Sequence, residues 1–550
     1  TRKESSAASD VYKRQLMNTK KYISRIVGYA FVIVAFLMSP YSVSAQNHSA
    51  HKVIDHYEER QMLPFRFISP FDLNPSLAVK RCDSSLSSIV VSYNAHNNDD
   101  SGLYQYGRGY NHVRIDATSF QRNSSQQLWG RAYYQKGVNK SIKWMSSSDL
   151  PEIYPYFTAD TVGGNVKSEV YFFSGGLNQN TWRGGSIGVQ ASYRALHEFR
   201  DTDPRPRNVV SDFRSTVGLS QLISDEYFVS VSGRYDVYKQ RSYKVEFANE
   251  LGGVHEMSMK GLGEITKRFS GANGSLYYRK SGYGATIEFV PKGRSGIYGS
   301  LGYMKHQLER VITENNHAPT NSYIQKTITA SIGYLQERSR QFSWGVANHY
   351  AYSHKKGFDN IIGDDGSGEL LVLETQPIFY QQKWEDKVTV SQEQYWNHGI
   401  KFQTDLSAYA SEEYIANIYP DDKVHLARIG GIVSGTISKR WDKSLLTINV
   451  GADYNANIDG SFDYDRDRYT KRKDLQKPNP DEYISEYLDH TFAFLQSNKL
   501  KLNVTPTYAV EFGQDDTSPL VFTISANYLY TTNQVRYKAH TAVVSFGLSF

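Results

Sequence analysis

Apolar and polar side chains alternate along the last ten residues of the chain. The apolar face carries Ala542, Val544, Phe546, Leu548 and Phe550. The opposite face carries Thr541, Ser545, Gly547 and Ser549, with Val543 out of pattern. A period of two predicts a β-strand, because successive side chains of a strand point to opposite faces. About ten residues of tilted strand are long enough to cross the hydrocarbon layer of a bilayer.

The same alternation recurs throughout the chain and predicts about 18 strands. The predicted strands cover residues 87–95, 109–119, 126–136, 167–177, 182–194, 212–222, 226–238, 281–290, 295–305, 323–336, 341–352, 385–395, 399–410, 426–438, 444–454, 498–512, 519–531 and 541–550. Short connections alternate with long ones such as 195–211 and 353–384. This regular alternation is typical of an antiparallel transmembrane β-barrel in a bacterial outer membrane, where short periplasmic turns face long extracellular loops. Barrels of 16 or 14 strands stay open as alternatives.

The polar face of the predicted strands carries arginine, aspartate and asparagine. A packed core would not bury such side chains, whereas a water-filled lumen accepts them. The strand residues predicted to line the lumen are Arg194, Arg234, Asp236, Asn449, Asp453 and Asn527.

Composition narrows the class of protein further. Mean hydropathy is −0.54, which a barrel tolerates because every second strand residue faces water. Aromatic residues make up 14% of the chain, as expected for two girdles at the membrane interfaces. A secreted, soluble all-β protein is the alternative interpretation. The single cysteine, Cys82, excludes a disulfide framework within the chain, and the net charge of +6 gives no reason to expect a nucleic-acid partner.

The N-terminal region has the features of an exported protein. Residues 1–16 are interpreted as a non-native upstream artefact, because Met17 begins a basic segment followed by the apolar stretch 26–38. Small residues precede a cleavage point after Ala45, so residues 17–45 are predicted to be a secretory signal peptide. Residues 46–86 contain three prolines and are predicted to form an irregular arm in the periplasm or the lumen. Residues 87–550 are then the barrel.

Two stretches resemble a known family. They read YPYFTADTVGGNVKSE at residues 154–169 and ASYRALHEFRDTDPRPRNVVSD at residues 191–212. Both are similar to a family of Bacteroidota outer-membrane β-barrel proteins classed as a domain of unknown function. The resemblance implies the fold and an outer-membrane location, and it supplies no catalytic residues.

The predicted loop 195–211 suggests how a lumen could be narrowed. Its prolines stiffen the backbone, and Arg205 and Arg207 stand beside carboxylates that fix arginine geometry. We therefore expect these two arginines to reach inward and constrict a channel or transporter for small polar solutes. A rigid loop held by its own ion pairs is the equal alternative. A surface scaffold, adhesin or assembly partner built on long loops is the second function, and a barrel-embedded hydrolase is a third.

Other chemistry is weakly indicated. Asp463, Asp465 and Asp467 alternate as calcium ligands do, but Arg468 stands where a calcium loop needs glycine. Residues 364–369 form a second acidic cluster that an ordinary turn explains. No catalytic residues, metal or cofactor are therefore predicted. The expected partners are membrane lipid, lipopolysaccharide, an unidentified polar solute and the barrel-assembly machinery, for which Phe550 resembles the recognition signal.

Overall fold

A computed structural model of the chain describes residues 53–68, 71, 74–99, 102–243, 256–266, 276–312, 319–339, 341–364, 366, 370–465, 480–513 and 519–550. The predicted artefact (1–16), the predicted signal peptide (17–45) and Asp467 lie outside the described residues, as does most of the acidic cluster 364–369.

Eighteen long strands form one closed antiparallel barrel. They are β1 (Leu86–Asn98), β2 (Gly109–Arg122), β3 (Gln126–Ile142), β4 (Gly164–Trp182), β5 (Gly185–Arg200), β6 (Arg207–Ile223), β7 (Tyr227–Tyr243), β8 (Leu276–Pro291), β9 (Gly296–Ile312), β10 (Pro319–Ser339), β11 (Phe342–Asp364), β12 (Leu370–Trp396), β13 (Ile400–Asn417), β14 (Lys423–Arg440), β15 (Ser444–Asp463), β16 (Lys499–Phe512), β17 (Leu520–Asn533) and β18 (Lys538–Ser549). Each strand pairs with its neighbours in the chain, and β18 pairs with β1 to close the barrel. The prediction of 18 strands is confirmed.

Several strands are longer than predicted. β11 has 23 residues and β12 has 27, more than twice the length of about ten residues that crosses a bilayer. The predicted loops 195–211 and 353–384 are therefore wrong in their bounds, because β5 and β6 continue to a turn at residues 201–206, β11 continues to Asp364 and β12 begins at Leu370. Alternation fades in these extensions because both faces of a strand meet polar surroundings beyond the membrane.

The outer face of the barrel is apolar. Val231, Ile287 and Leu301 are 50%, 54% and 58% exposed, whereas the inward-facing neighbours Ser230 and Glu288 are buried. A closed barrel leaves no unpaired strand edge in lipid, and an exposed apolar band is stable only against hydrocarbon. The protein is therefore an outer-membrane β-barrel. Within the described part of the chain, none of the helices combines the length and hydropathy needed for a membrane crossing.

The N-terminal arm lies inside the barrel near the short turns, in its described residues 53–68, 71 and 74–85. It contains α1 (Val53–Glu59), α2 (Leu63–Ile68) and a 3₁₀ helix (Pro75–Lys80). The prediction of an irregular arm is wrong for these segments. Pro64 and Pro75 stand in the first turn of their helices, where the missing N–H costs nothing.

The opposite end of the barrel is filled by segments of three long connections. We call residues 143–163, 256–266 and 484–496 the outer cap. It contains α3 (Leu150–Ile153), most of α4 (Pro480–Gln496) and a three-stranded sheet of Thr158–Ala159, Met257–Met259 and Ile265–Thr266. Buried side chains from all three segments pack with the inner wall in one hydrophobic cluster.

Candidate functional site

The arm is fixed to the inner wall by three glutamates, one for each helical segment. Each carboxylate accepts a hydrogen bond from a backbone N–H at the start of a segment. The pairs are Ile54 to Glu511 (2.8 Å), Leu63 to Glu393 (2.9 Å) and Asn74 to Glu288 (2.9 Å). The first N–H groups of a helix have no partner within the helix and carry partial positive charge, so a carboxylate there is stabilising. The three glutamates of the wall therefore stand where the three helical segments of the arm begin.

Ion pairs and rings add to this attachment. Arg440 of β14 donates to Asp55 at 2.6 Å. Phe67 and Phe71 of the arm pack on Tyr298 of β9, with ring centroids 5.5 and 5.6 Å from it. Along its length the arm contacts β15–β17, then β10–β12, then β4–β6. It thus follows the inner circumference of the barrel at the periplasmic end.

The outer cap is held to the wall by charge pairs, one of which is completely buried. These are Asp149 with Arg194 (2.6 Å), Asp160 with Arg200 (2.6 Å), and Glu152 with Lys280. Asp160 and Arg200 are both completely buried. Burial alone raises the pKa of Glu152, but Lys280 outweighs it and holds the pKa below its usual range. The cap is therefore anchored in its ionised form at neutral pH.

Aromatic side chains pack together in the interior of the cap. Tyr156 is fully buried and donates its hydroxyl hydrogen to the carbonyl of Phe358 at 3.0 Å. Trp144 stacks on Tyr487 of α4 with ring centroids 4.9 Å apart. The connections β3–β4 and β15–β16 are thereby joined across the lumen.

Between arm and cap, the wall carries paired charges. The pairs are Arg114 with Asp116 (2.5 Å), Arg131 with Asp116 (2.7 Å), Arg214 with Asp212 (3.1 Å), Arg234 with Asp236 (2.8 Å) and Lys501 with Asp453 (3.0 Å). Because the charges compensate one another locally, the wall offers donors and acceptors of both signs instead of a field of one sign. Such a surface suits polar solutes in water.

Two cavities lie against β1–β3 where the cap leaves space. The outer cavity has a volume of about 460 Å³ and is bordered by Tyr106, Glu198 and Tyr537. The second, about 430 Å³, lies deeper and is lined by polar residues that include Asn94 and His112. Tyr110 borders both. The two cavities are therefore neighbours on the β1–β3 side of the lumen, beside the cap.

The structure places the six predicted strand residues on the inner face, where they meet different partners. Arg194 binds Asp149 of the cap, and Arg234 and Asp236 bind each other. Asp453 accepts a hydrogen bond from Tyr409 at 2.9 Å and pairs with Lys501. Asn449 donates to Thr436, and Asn527 donates to Thr505. They are thus distributed around the lumen and do not form one site.

The expectation for Arg205 and Arg207 is wrong in its geometry. Arg205 lies in the turn 201–206 and pairs with Asp203 at 2.8 Å. Arg207 is the first residue of β6 and lies on the same face as the exposed Val209, which is the outer face. Its side chain donates a hydrogen bond to His197 at 2.9 Å. Among the described residues, the segments that pack against the inner wall are the arm and the cap.

Sequence reasoning missed the three arm-binding glutamates and Glu198. Glu288, Glu393 and Glu511 each stand near the periplasmic end of an alternating strand, on its polar face. An inward carboxylate at the same end of three strands is a usable signal, but its partners lie 214 to 457 residues away in the chain.

Comparison with known proteins gives a family and a fold. The family model described as "Family of unknown function (DUF6850)" matches residues 75–550. The chain belongs to this family. The DUF6850 match includes both stretches on which the resemblance was based. None of the curated protein sequences matches the chain.

Solved structures similar to this DUF6850 member are outer-membrane barrels of low identity. The copper transporter OprC is 6% identical, with 84% of this chain and 80% of that chain covered and a TM-score of 0.38. The outer membrane transporter YddB from Escherichia coli is 8% identical, with 85% and 81% covered and a TM-score of 0.38. The CymD monoaromatic hydrocarbon channel is 8% identical, with 91% and 94% covered and a TM-score of 0.30. At these values the likeness concerns barrel architecture and carries nothing about ligands.

Proposed function

We propose that this protein is a gated transporter for small polar solutes and that the N-terminal arm is its periplasmic gate. The observation that carries the proposal is the attachment of the arm. Its helical segments join the wall through discrete hydrogen bonds from backbone N–H groups to Glu288, Glu393 and Glu511, and they add no strand to the barrel. Displacing the arm would therefore leave all 18 strands paired and would open a polar lumen.

The size of the barrel supports transport. Barrels of about 16–18 strands are wide enough for an aqueous channel unless other segments fill them. Here the filling segments are the arm and the cap. The wall between them carries paired charges, and because burying charge away from water is costly, these charges favour a lumen that holds water.

Conductance in planar bilayers tests this proposal. We compare the full chain with a variant that lacks residues 53–84 and with the E288Q/E393Q/E511Q variant, which keeps the arm but removes the three charges. The full chain should conduct little, the deletion should conduct steadily, and the triple variant should open intermittently.

A matched control uses three glutamates remote from the arm. The E169Q/E309Q/E374Q variant removes the same charge and should behave as the full chain does. Heat-modifiable mobility in gels verifies that every variant forms a barrel. A folded deletion variant that conducts no better than the full chain would refute the arm as a gate.

A surface role is the second candidate, favoured by the extension of β11 and β12. β12 pairs with β13 only from Phe379 onward, so residues 370–377 pair with β11 alone among the described strands. Leu371, Val372 and Leu373 are exposed there. An unpaired edge with exposed apolar side chains can accept a strand from another protein.

Cross-linking on intact cells separates the two roles. The L371T/V372T/L373T variant should lose a surface adduct if the extension is a docking edge, while conductance of the arm-deleted form stays unchanged. If the variant gives the same cross-linked adducts as the unmodified protein, the docking role is refuted.

A further inference from the structure

We propose that the outer cavity binds an organic cation with an apolar or aromatic body, and that Glu198 is the residue that binds its ammonium group. The inference rests on the proposed transport function and names its solute class. The cavity of about 460 Å³ falls within the usual range for small-molecule sites, about 300–1,000 Å³.

Glu198 differs from the other carboxylate that borders the cavity. Asp149 is neutralised by a bidentate contact with Arg194 at 3.1 and 2.6 Å. Glu198 instead accepts hydrogen bonds from neutral groups, Ser148 at 2.5 Å and Asn139 at 3.3 Å. Within the described chain it has no cationic side chain within 4.0 Å.

Glu198 is only partly exposed, and a carboxylate withdrawn from water is normally paired with a cation. Ser148 belongs to the cap and Asn139 to β3, so the glutamate lies where cap and wall meet and still borders open space. The ammonium group of a solute in the cavity would supply the missing positive charge through a charge-assisted hydrogen bond.

The remaining lining indicates the rest of the ligand. Tyr106, Tyr537 and Phe494 present aromatic surface, and Leu103 and Leu150 present aliphatic surface. Aromatic faces attract cations and pack against rings. A ligand that unites an amine with a ring therefore matches both parts of the cavity, whereas an anion would meet the Glu198 carboxylate.

Calorimetric titration of the purified full-length protein tests the inference. The probes are phenylethylamine, its neutral analogue 2-phenylethanol and the anion phenylacetate. We expect the amine to bind about tenfold more tightly than the alcohol, as a single charge-assisted hydrogen bond predicts. Binding of phenylacetate should be weakest.

Two matched variants assign the effect to Glu198. E198Q keeps the hydrogen-bond acceptor for Ser148 and removes the charge, so it should reduce amine binding to the level of the alcohol. E169Q changes a glutamate on β4, the strand paired with β5, on the outer face of the barrel, and should leave amine binding unchanged.

The opposite results overturn the inference. Three results would each contradict the inference: equal binding of amine and alcohol, tighter binding of a neutral disaccharide such as maltose, or undiminished amine binding in E198Q. Glu198 would then serve only to hold the cap on the wall. Titration does not depend on conductance. Glu198-dependent binding without transport would therefore refute the proposed function and leave the site standing.

Discussion

At the scale of single residues, the pair of Asp160 and Arg200 best illustrates how the cap is held. Both side chains are completely buried and their charged groups are 2.6 Å apart. Removing one partner leaves a buried charge uncompensated, which costs about 3–5 kcal/mol. We therefore expect D160N to open the cap, seen as faster hydrogen exchange in residues 143–163. The exposed pair of Lys167 and Asp201 provides the control, and D201N should leave that exchange unchanged.

The two faces of one strand give a second residue-scale prediction. Ile524 is 41% exposed on the outer face, and its neighbour Ser525 points to the lumen. Arginine at position 524 should destabilise the barrel by about 2–4 kcal/mol near the membrane midplane. Arginine at position 525 should be tolerated because it meets water. Urea unfolding in detergent or lipid measures both, and equal damage at the two positions would contradict an aqueous lumen.

At the scale of elements, the C-terminal strand closes the barrel. Phe550 and Ser87 exchange two backbone hydrogen bonds of 2.8 and 2.9 Å, and the Phe550 ring remains 44% exposed. A substitution at Phe550 keeps these backbone bonds, so its effect reports on the ring. We expect F550D to reduce the outer-membrane yield severalfold and F550W to preserve it. A normal yield of F550D would contradict a role for the ring in assembly.

Elements differ in how far the sequence predicts them. The strands were predictable because lipid on one side and polar groups on the other impose a period of two. The connection between β5 and β6 was predicted as the loop 195–211, but only residues 201–206 separate the two strands, and Pro204 and Pro206 both lie within them. An arm in the periplasm or the lumen was predicted, but its helices, its contacts and the cap were not, because these contacts join distant segments. Leu63 meets Glu393 across 330 residues, and no local pattern encodes such a pair.

At the scale of the whole molecule, the two ends are packed separately. The arm belongs to clusters around Phe67 and Ile54, and the cap belongs to clusters around Tyr156 and Phe379. Because these clusters are distinct, release of the arm does not require the cap to move. We therefore expect D160N to affect the cap without opening the periplasmic end.

Cys82, the single cysteine of the chain, allows the position of the arm to be followed directly. Its carbonyl accepts a hydrogen bond from Arg122 at 2.9 Å, and burial raises the pKa of its thiol. Since the thiolate is the reactive form, a raised pKa and limited access both slow labelling by a maleimide at pH 7. Release of the arm would return the pKa of the Cys82 thiol toward its usual value and uncover the thiol.

Cys82 in the E288Q/E393Q/E511Q variant should therefore be labelled severalfold faster than in the unmodified protein, and in D160N it should not. If the triple variant conducts but its Cys82 labels at the original rate, the lumen opens without movement of the arm, and the gate must be sought in the cap.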